Sequence, residues 1–173
     1  MDKKNFDISI IRPEMRVEDF KRRGEGKSED ELNGIKRGLC TLHTLETMAV
    51  NIYRFQISRV SKELNLHLIT AMGNEMTHLQ DFQIKLFEYG FKSSKLRFLY
   101  WIVGVAIGFI SRVLGTKAIL KTGIWVEKKA VRHYDELLRS VNWDPQIRQI
   151  IEKDQADEKG HIERWRKLLR KLG

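Results

Sequence analysis

Residues 127–161 read EKKAVRHYDELLRSVNWDPQIRQIIEKDQADEKGH, and this stretch decides the fold. It opens on a glutamate, ends on the pair Glu158-Lys159-Gly160-His161, and carries a turn signal, Asn142-Trp143-Asp144-Pro145, at its centre. Asp144 is a good N-cap and Pro145 suits the first position of a helix. Two helices joined there run antiparallel, so residues equidistant from the turn lie level. Glu127 is 31 residues before Glu158, which puts the midpoint at 142–143, on the turn itself. Residues three apart share a helix face. The hairpin therefore brings Glu127, Glu158 and His161 to one height.

The same arrangement recurs upstream. Glu75-Met76-Thr77-His78 is a second Glu-x-x-His pair, and Glu46 lies 29 residues before it. The midpoint is 60–61, where Ser61 suits an N-cap. Leu39, Leu42, Glu46, Ala49, Tyr53, Gln56 and Val60 recur at three and four and predict a first helix over 35–61. Leu64, Leu68, Met72, Glu75, Leu79, Phe82 and Leu86 predict a second over 63–89, closed by Gly90. A third is expected over 117–140 and a fourth over 145–172. Between the second and third lies an apolar stretch, 96–113, containing the uncharged run FLYWIVGVAIGFIS at 98–111, bounded by Arg97 and Arg112. That run is shorter than the roughly 20 residues a spanning helix needs, so it predicts a buried or interfacial helix. No β-type alternation occurs. The fold class is all-α, a four-helix bundle with an additional apolar helix between helices 2 and 3. Residues 1–33 read as a loosely attached N-terminal arm with a short helix near 14–22, and 34–173 as the bundle.

Four carboxylates and two imidazoles projecting into a bundle core form the ligand set of two-metal carboxylate proteins. The candidate ligands are Glu46, Glu75, His78, Glu127, Glu158 and His161. Four glutamates balance two M²⁺ ions, two of them can bridge the pair, and imidazole suits iron better than an all-oxygen site would. Without cations, four buried carboxylates are very costly. Tyr53 and Tyr134 each lie seven residues after a lone glutamate, on its face; they line the metal cavity or are core tyrosines with satisfied hydroxyls. Asp154 either orients a ligand histidine or is an exposed helix acid. His133, a third of a turn off the face of Glu127, is an accessory site residue or a core histidine. His43 and His67 read as structural or exposed.

Composition narrows the rest. The 173 residues are 42% hydrophobic and 32% charged, ordinary for one soluble domain. The single cysteine, Cys40, can form no internal disulfide and no CxxC pair for zinc or a rubredoxin-type iron. The lone cysteine suits a reducing cytoplasm, the expected location, and the start, Met1-Asp2-Lys3-Lys4-Asn5-Phe6-Asp7, reads as too acidic for a transit peptide and without the apolar core of a signal peptide. The net charge of +9 calls for an anionic partner. A nucleic-acid-binding bundle would explain that charge but leave four core-facing carboxylates unexplained, so no nucleic acid is expected.

The order Glu…Glu-x-x-His…Glu…Glu-x-x-His with a long apolar insert resembles the demethoxyubiquinone hydroxylase family, ferritin-like di-iron monooxygenases of ubiquinone biosynthesis. The likeness covers about 38–170. It includes Ile52-Tyr53 and Gln56 after the first ligand, Gly115-Thr116 with Gly123 before Glu127, His133-Tyr134, and Asp157-Glu158 with His161. Two stretches depart from the family: Leu42-His43-Thr44-Leu45-Glu46 replaces its Asp-His-Ala-Gly-Glu, and Gly73-Asn74-Glu75 thins its acidic run. The resemblance implies two iron ions bridged by Glu75 and Glu158, with Glu46 and Glu127 terminal and His78 and His161 capping one iron each. It implies catalytic roles near the metals for Tyr53, His133 and Tyr134, a polyprenyl quinol and O2 as substrates, and reduced nicotinamide or quinol as electron donor. It also implies that the insert dips into the inner face of the cell membrane, and it leaves room for a homo-oligomer. A rubrerythrin-like peroxidase or ferroxidase without a rubredoxin module is the alternative for the same metals.

Overall fold

The computed structural model describes residues 17–58 and 61–172. Five helices follow a short 3-10 turn at Val17–Asp19: α1 (Glu29–Gln56), α2 (Lys62–Glu88), α3 (Arg97–Val113), α4 (Thr116–Ser140) and α5 (Pro145–Arg170). The described residues contain no strand. Residues 14–16 of the expected short helix and 59–60 at the expected end of the first helix lie outside the described residues.

Local chemistry explains the boundaries. α1 starts at Glu29 rather than near 35, because Ser28 and Glu31 form a capping box: the Ser28 hydroxyl accepts from the Glu31 N–H and the Glu31 carboxylate accepts from the Ser28 N–H. Ser61 caps α2 through the Leu64 N–H. Asp144 caps α5 through the Gln146 N–H, with Pro145 at its first position. Gly90 and Gly115, at φ 69° and 92°, turn the chain into and out of α3 and its connector. The described part of the expected arm is anchored at Arg23. Arg23 is buried in ion pairs with Glu88 at the end of α2 and Asp144 at the α4–α5 turn, the latter at 2.9 Å. The Lys21 and Arg23 backbone N–H groups also donate to Glu88, which ties 21–23 to the end of α2.

α1 with α2, and α4 with α5, form the two hairpins, which meet through α1–α4 and α2–α5. The Tyr53 hydroxyl on α1 donates to Glu127 on α4, and that of Tyr134 on α4 donates to Glu46 Oε1 on α1 at 2.6 Å. Each tyrosine lies seven residues beyond its own helix's glutamate. Both crossed bonds form only if α1 and α4 run antiparallel. Apolar layers close the bundle on either side of these polar residues. Ile35, Leu39, Leu42, Phe82, Leu86, Trp143, Ile147 and Ile151 fill one end, and Leu64, Leu68, Ala71, Ile119, Leu120 and Trp165 the other.

α3 lies outside, against α1. A Cβ at Gly104 would meet the Met48 carbonyl oxygen at 2.5 Å, and one at Gly108 the Ile52 carbonyl oxygen at 2.5 Å. One turn further on, Gln56 Nε2 donates to Ser111 Oγ at 2.9 Å. Contact positions rise together on both helices, so α3 runs parallel to α1. Only Gly104, Gly108 and Ser111 of α3 are buried. Its large side chains face outward: Phe98 is 66% exposed, Phe109 55% and Trp101 40%. The insert is thus a surface helix and not core.

The close approach gives a prediction. Gly108→Val is expected to lower the unfolding free energy by about 1–3 kcal/mol, since the backbone it would strike cannot rotate away. Gly34→Ala, where nothing stands within 4 Å, is expected to raise it by about 0.5–1 kcal/mol. Equal effects in chemical denaturation would contradict this packing.

Candidate metal centre

All six predicted ligands meet at the centre of the bundle. Glu75, His78, Glu127 and Glu158 have no exposed surface, and Glu46 and His161 have 1%. Their donor atoms form two groups, Glu46–Glu75–His78–Glu158 and Glu75–Glu127–Glu158–His161, the atoms of each lying within 4.8 Å of one another. Glu75 and Glu158 belong to both. His78 Nδ1 lies 3.2 Å from Glu158 Oε1 and 3.9 Å from Glu75 Oε2. His161 Nδ1 lies 3.1 Å from Glu75 Oε1, 3.3 Å from Glu158 Oε2 and 3.5 Å from Glu127 Oε1.

The donor set has too few protons for its own hydrogen bonds. Both oxygens of Glu75, both of Glu158, one of Glu127 and the Nδ1 atoms of both histidines are buried with no hydrogen-bond partner. Native interiors leave few such atoms, and seven of them converging in two groups fit a pair of divalent cations. Electrostatics says the same. Burial first, then the charges of Glu158, Glu127 and Glu46, pushes Glu75 well above the carboxylate range. Burial and the Glu158 charge push Glu46 up to about 7 and Glu127 to about 8. Against burial, the imidazoles of His161 and His78 close beside it hold Glu158 at about 2. Against burial too, their carboxylate partners raise His78 to about 10 and His161 to about 9. The metal-free cluster holds protons where cations fit.

Tyr53 and Tyr134 sit directly behind the cluster, each fully buried on a glutamate of the opposite hairpin. Trp165 Nε1 in turn donates to the Tyr53 oxygen at 3.1 Å, its indole seated on Gly123, where a Cβ would meet it at 2.9 Å. Asp154 is also fully buried, behind His78. His133 is not brought to the cluster. Its side chain is 43% exposed and pairs with Glu136 at 3.5 Å. The third-of-a-turn offset from Glu127 is enough to carry it out of the core. His43 is buried, lining the α1–α2 groove, and His67 is half-buried; neither belongs to the donor groups.

A cavity of about 730 Å³ lies between α1, α2 and the start of α3, lined by His43, Thr47, Met76, Leu79, Gln83, Arg97, Phe98 and Trp101 among others. None of the six lines it, nor do Tyr53, His133 or Tyr134. Thr47, Met76 and Leu79 are chain neighbours of Glu46, Glu75 and His78. The cavity thus borders the α1 and α2 segments that carry these three predicted ligands.

Residues 35–171 match the family model described as ubiquinone biosynthesis protein COQ7. The chain belongs to that family. A similar protein is the mitochondrial NADPH-dependent 3-demethoxyubiquinone 3-hydroxylase of Dictyostelium discoideum, 26% identical over 133 residues, covering 74% of this chain and 61% of that protein. The chain thus spans about three-fifths of that relative's length. All six cluster residues and both tyrosines fall within the COQ7 match.

The raised values fix a pH dependence for the metal-free protein. Glu46 and Glu127 are held above their ordinary 4.5, so their contribution is complete below 4.5 and lost as pH rises through about 7 and 8. His78 and His161 contribute fully below 6.5 and lose it through about 10 and 9. Glu158, depressed, contributes above 4.5 and loses it only towards pH 2. The metal-free Tm should fall steadily from pH 5 to pH 10. A Tm that stays flat or rises across that range would show that these groups are not buried together.

Proposed function

We propose that Glu46, Glu75, His78, Glu127, Glu158 and His161 hold two iron ions, and that the chain hydroxylates a demethoxyubiquinol-like quinol ring in ubiquinone biosynthesis. The observation that carries the reading is the pair of donor groups sharing Glu75 and Glu158, the arrangement two bridged cations need. Membership of the COQ7 family and the name of the Dictyostelium relative support the substrate class. That name also favours reduced nicotinamide as electron source over the quinol itself. The rubrerythrin-like alternative asks only for a peroxide channel and leaves the exposed aromatic insert without a role.

When bound, the iron pair supplies reductive activation of O2. The chain's own residues do the rest. Glu75 and Glu158, common to both donor groups, would be shared by the two ions, Glu46 and Glu127 would each serve one, and each histidine turns its Nδ1 inward. The Tyr53 and Tyr134 hydroxyls fix the terminal carboxylates by donating to them. The two apolar layers keep water from the centre, which strengthens every charge interaction there. The quinol ring enters the cavity beside α3, where Phe98 and Trp101 offer apolar faces and His43, Gln83 and Arg97 polar ones. Movement of the Thr47–Met76–Leu79 layer admits it to the centre.

A polyprenyl tail needs an apolar route, and the outward face of α3 provides one. Among the described residues no helix is long and apolar enough to cross a membrane. We place α3 flat in the surface of the inner face of the cell membrane. Residues 89–126 contain Lys92, Lys95, Arg97, Arg112, Lys117 and Lys121 and no acidic residue, so exposed cations flank the apolar face at both ends.

Three outcomes test this. Iron-loaded protein given O2, reduced nicotinamide and a short-chain demethoxyquinol should yield the hydroxylated ring; peroxide consumption with no such product would favour the rubrerythrin-like reading. Tyr134→Phe should lower turnover by about 10-fold or more while the iron content stays within error, since the residue positions Glu46 without ligating. Sedimentation with vesicles containing anionic lipid should fall sharply when Phe98, Phe109 and Val113 become serine, and unchanged sedimentation would remove α3 from the membrane.

A further inference from the structure

The two histidines are not equivalent on their outer side. His78 turns Nδ1 to the cluster, and its Nε2–H donates to Asp157 Oδ2 at 3.3 Å, with Asp154 Oδ1 at 3.6 Å. Both aspartates belong to α5, one and four residues before Glu158. Asp154 is fully buried, and its Oδ2 has no hydrogen-bond partner. His161 also turns Nδ1 inward, but its Nε2 is buried with no partner at all. The hairpin repeat explains why. The residues one and four before Glu75 on α2 are Asn74 and Ala71, so the carboxylates that back His78 have no counterpart behind His161.

A carboxylate on the outer N–H of a metal-bound imidazole fixes its tautomer and ring orientation and makes the inner nitrogen a better donor; removing it typically lowers metal affinity by about 10–100-fold. The aspartates do not themselves form a third cation position with His78. Lys153 Nζ stands 3.1 Å from Asp154 Oδ1 and 3.6 Å from Asp157 Oδ2, and its ammonium already supplies the positive charge there.

We propose that the two metal positions fill in order, the Glu46–His78 position before the Glu127–His161 position, and that Asp154 and Asp157 set this order as positioning residues for His78. The proposal rests on the six-residue cluster being a metal centre. It predicts that the protein at limiting metal carries one ion at a defined place and not a mixture of half-filled pairs.

The test is anaerobic calorimetric titration of metal-free protein with Fe(II), with the place of the first ion read by anomalous diffraction from crystals prepared at one equivalent. The wild-type chain should bind in two resolved steps, with the first ion beside His78. Asp154→Ala with Asp157→Ala should weaken the first step by about 10–100-fold and spread the first ion over both positions. Asp154→Asn with Asp157→Asn, which keeps the shape, should weaken it in the same direction, so loss of folding in the alanine variant does not spare the proposal. Failure to bind iron at all overturns the metal centre and the order with it. Two ions bound with equal affinity, or a first step unmoved in either double variant, overturns the order alone.

Discussion

Glu75 and Glu158 face each other across the axis of the bundle, with all four of their oxygens buried and none hydrogen-bonded. Burial first, and then the repulsion between two carboxylates so placed, drives Glu75 towards protonation while Glu158 stays charged beside two imidazoles. No apolar core needs such a pair. Every other element of the molecule can be read as a means of holding these two groups level. The two hairpins set their height, the capped turns at Ser61 and Asp144 set the register of each hairpin, and the crossed tyrosines tie one hairpin to the other.

The layering of the bundle follows from the same constraint. A charged centre in a helical core is tolerable only when sealed, and the Trp143 and Trp165 ends of the bundle provide the seals. At the Trp143 end the Arg23 clasp adds a second closure, tying chain upstream of α1 to the α4–α5 turn. The side facing α3 is different. There Gly104 and Gly108 let an apolar helix lie directly on the α1 backbone, and a cavity opens beside it, lined in part by chain neighbours of Glu46, Glu75 and His78. The bundle is sealed by apolar layers at both ends, and its α3 flank carries the exposed apolar side chains.

Much of this was legible in the residues because two independent signals coincide. The Glu-x-x-His pairs and the lone glutamates mark heights, and the turn residues midway between them mark register, so helix order and cluster membership follow together. Where only one weak signal exists, the reading is poorer. Ser28-Glu29-Asp30-Glu31 is a capping box, yet as a run of polar residues it reads as arm, and α1 begins earlier than its apolar period suggests. Arg23 in a glycine-flanked polar stretch gives no hint that Glu88 and Asp144 will bury it. His133 shares a helix and nearly a face with Glu127, and only the side-chain direction separates surface from centre. Asp157 reads as a neighbour of a ligand; its contact with His78 on another helix is a tertiary fact that spacing along one helix cannot supply.

The most direct test of the account is the metal–metal geometry of the loaded protein. Iron-loaded crystals examined at the iron absorption edge should show two anomalous peaks per chain, about 3.5–4 Å apart, each within bonding distance of Glu75 and Glu158. One peak, no peak, or two ions bound at the surface with Glu75 and Glu158 unliganded would contradict it.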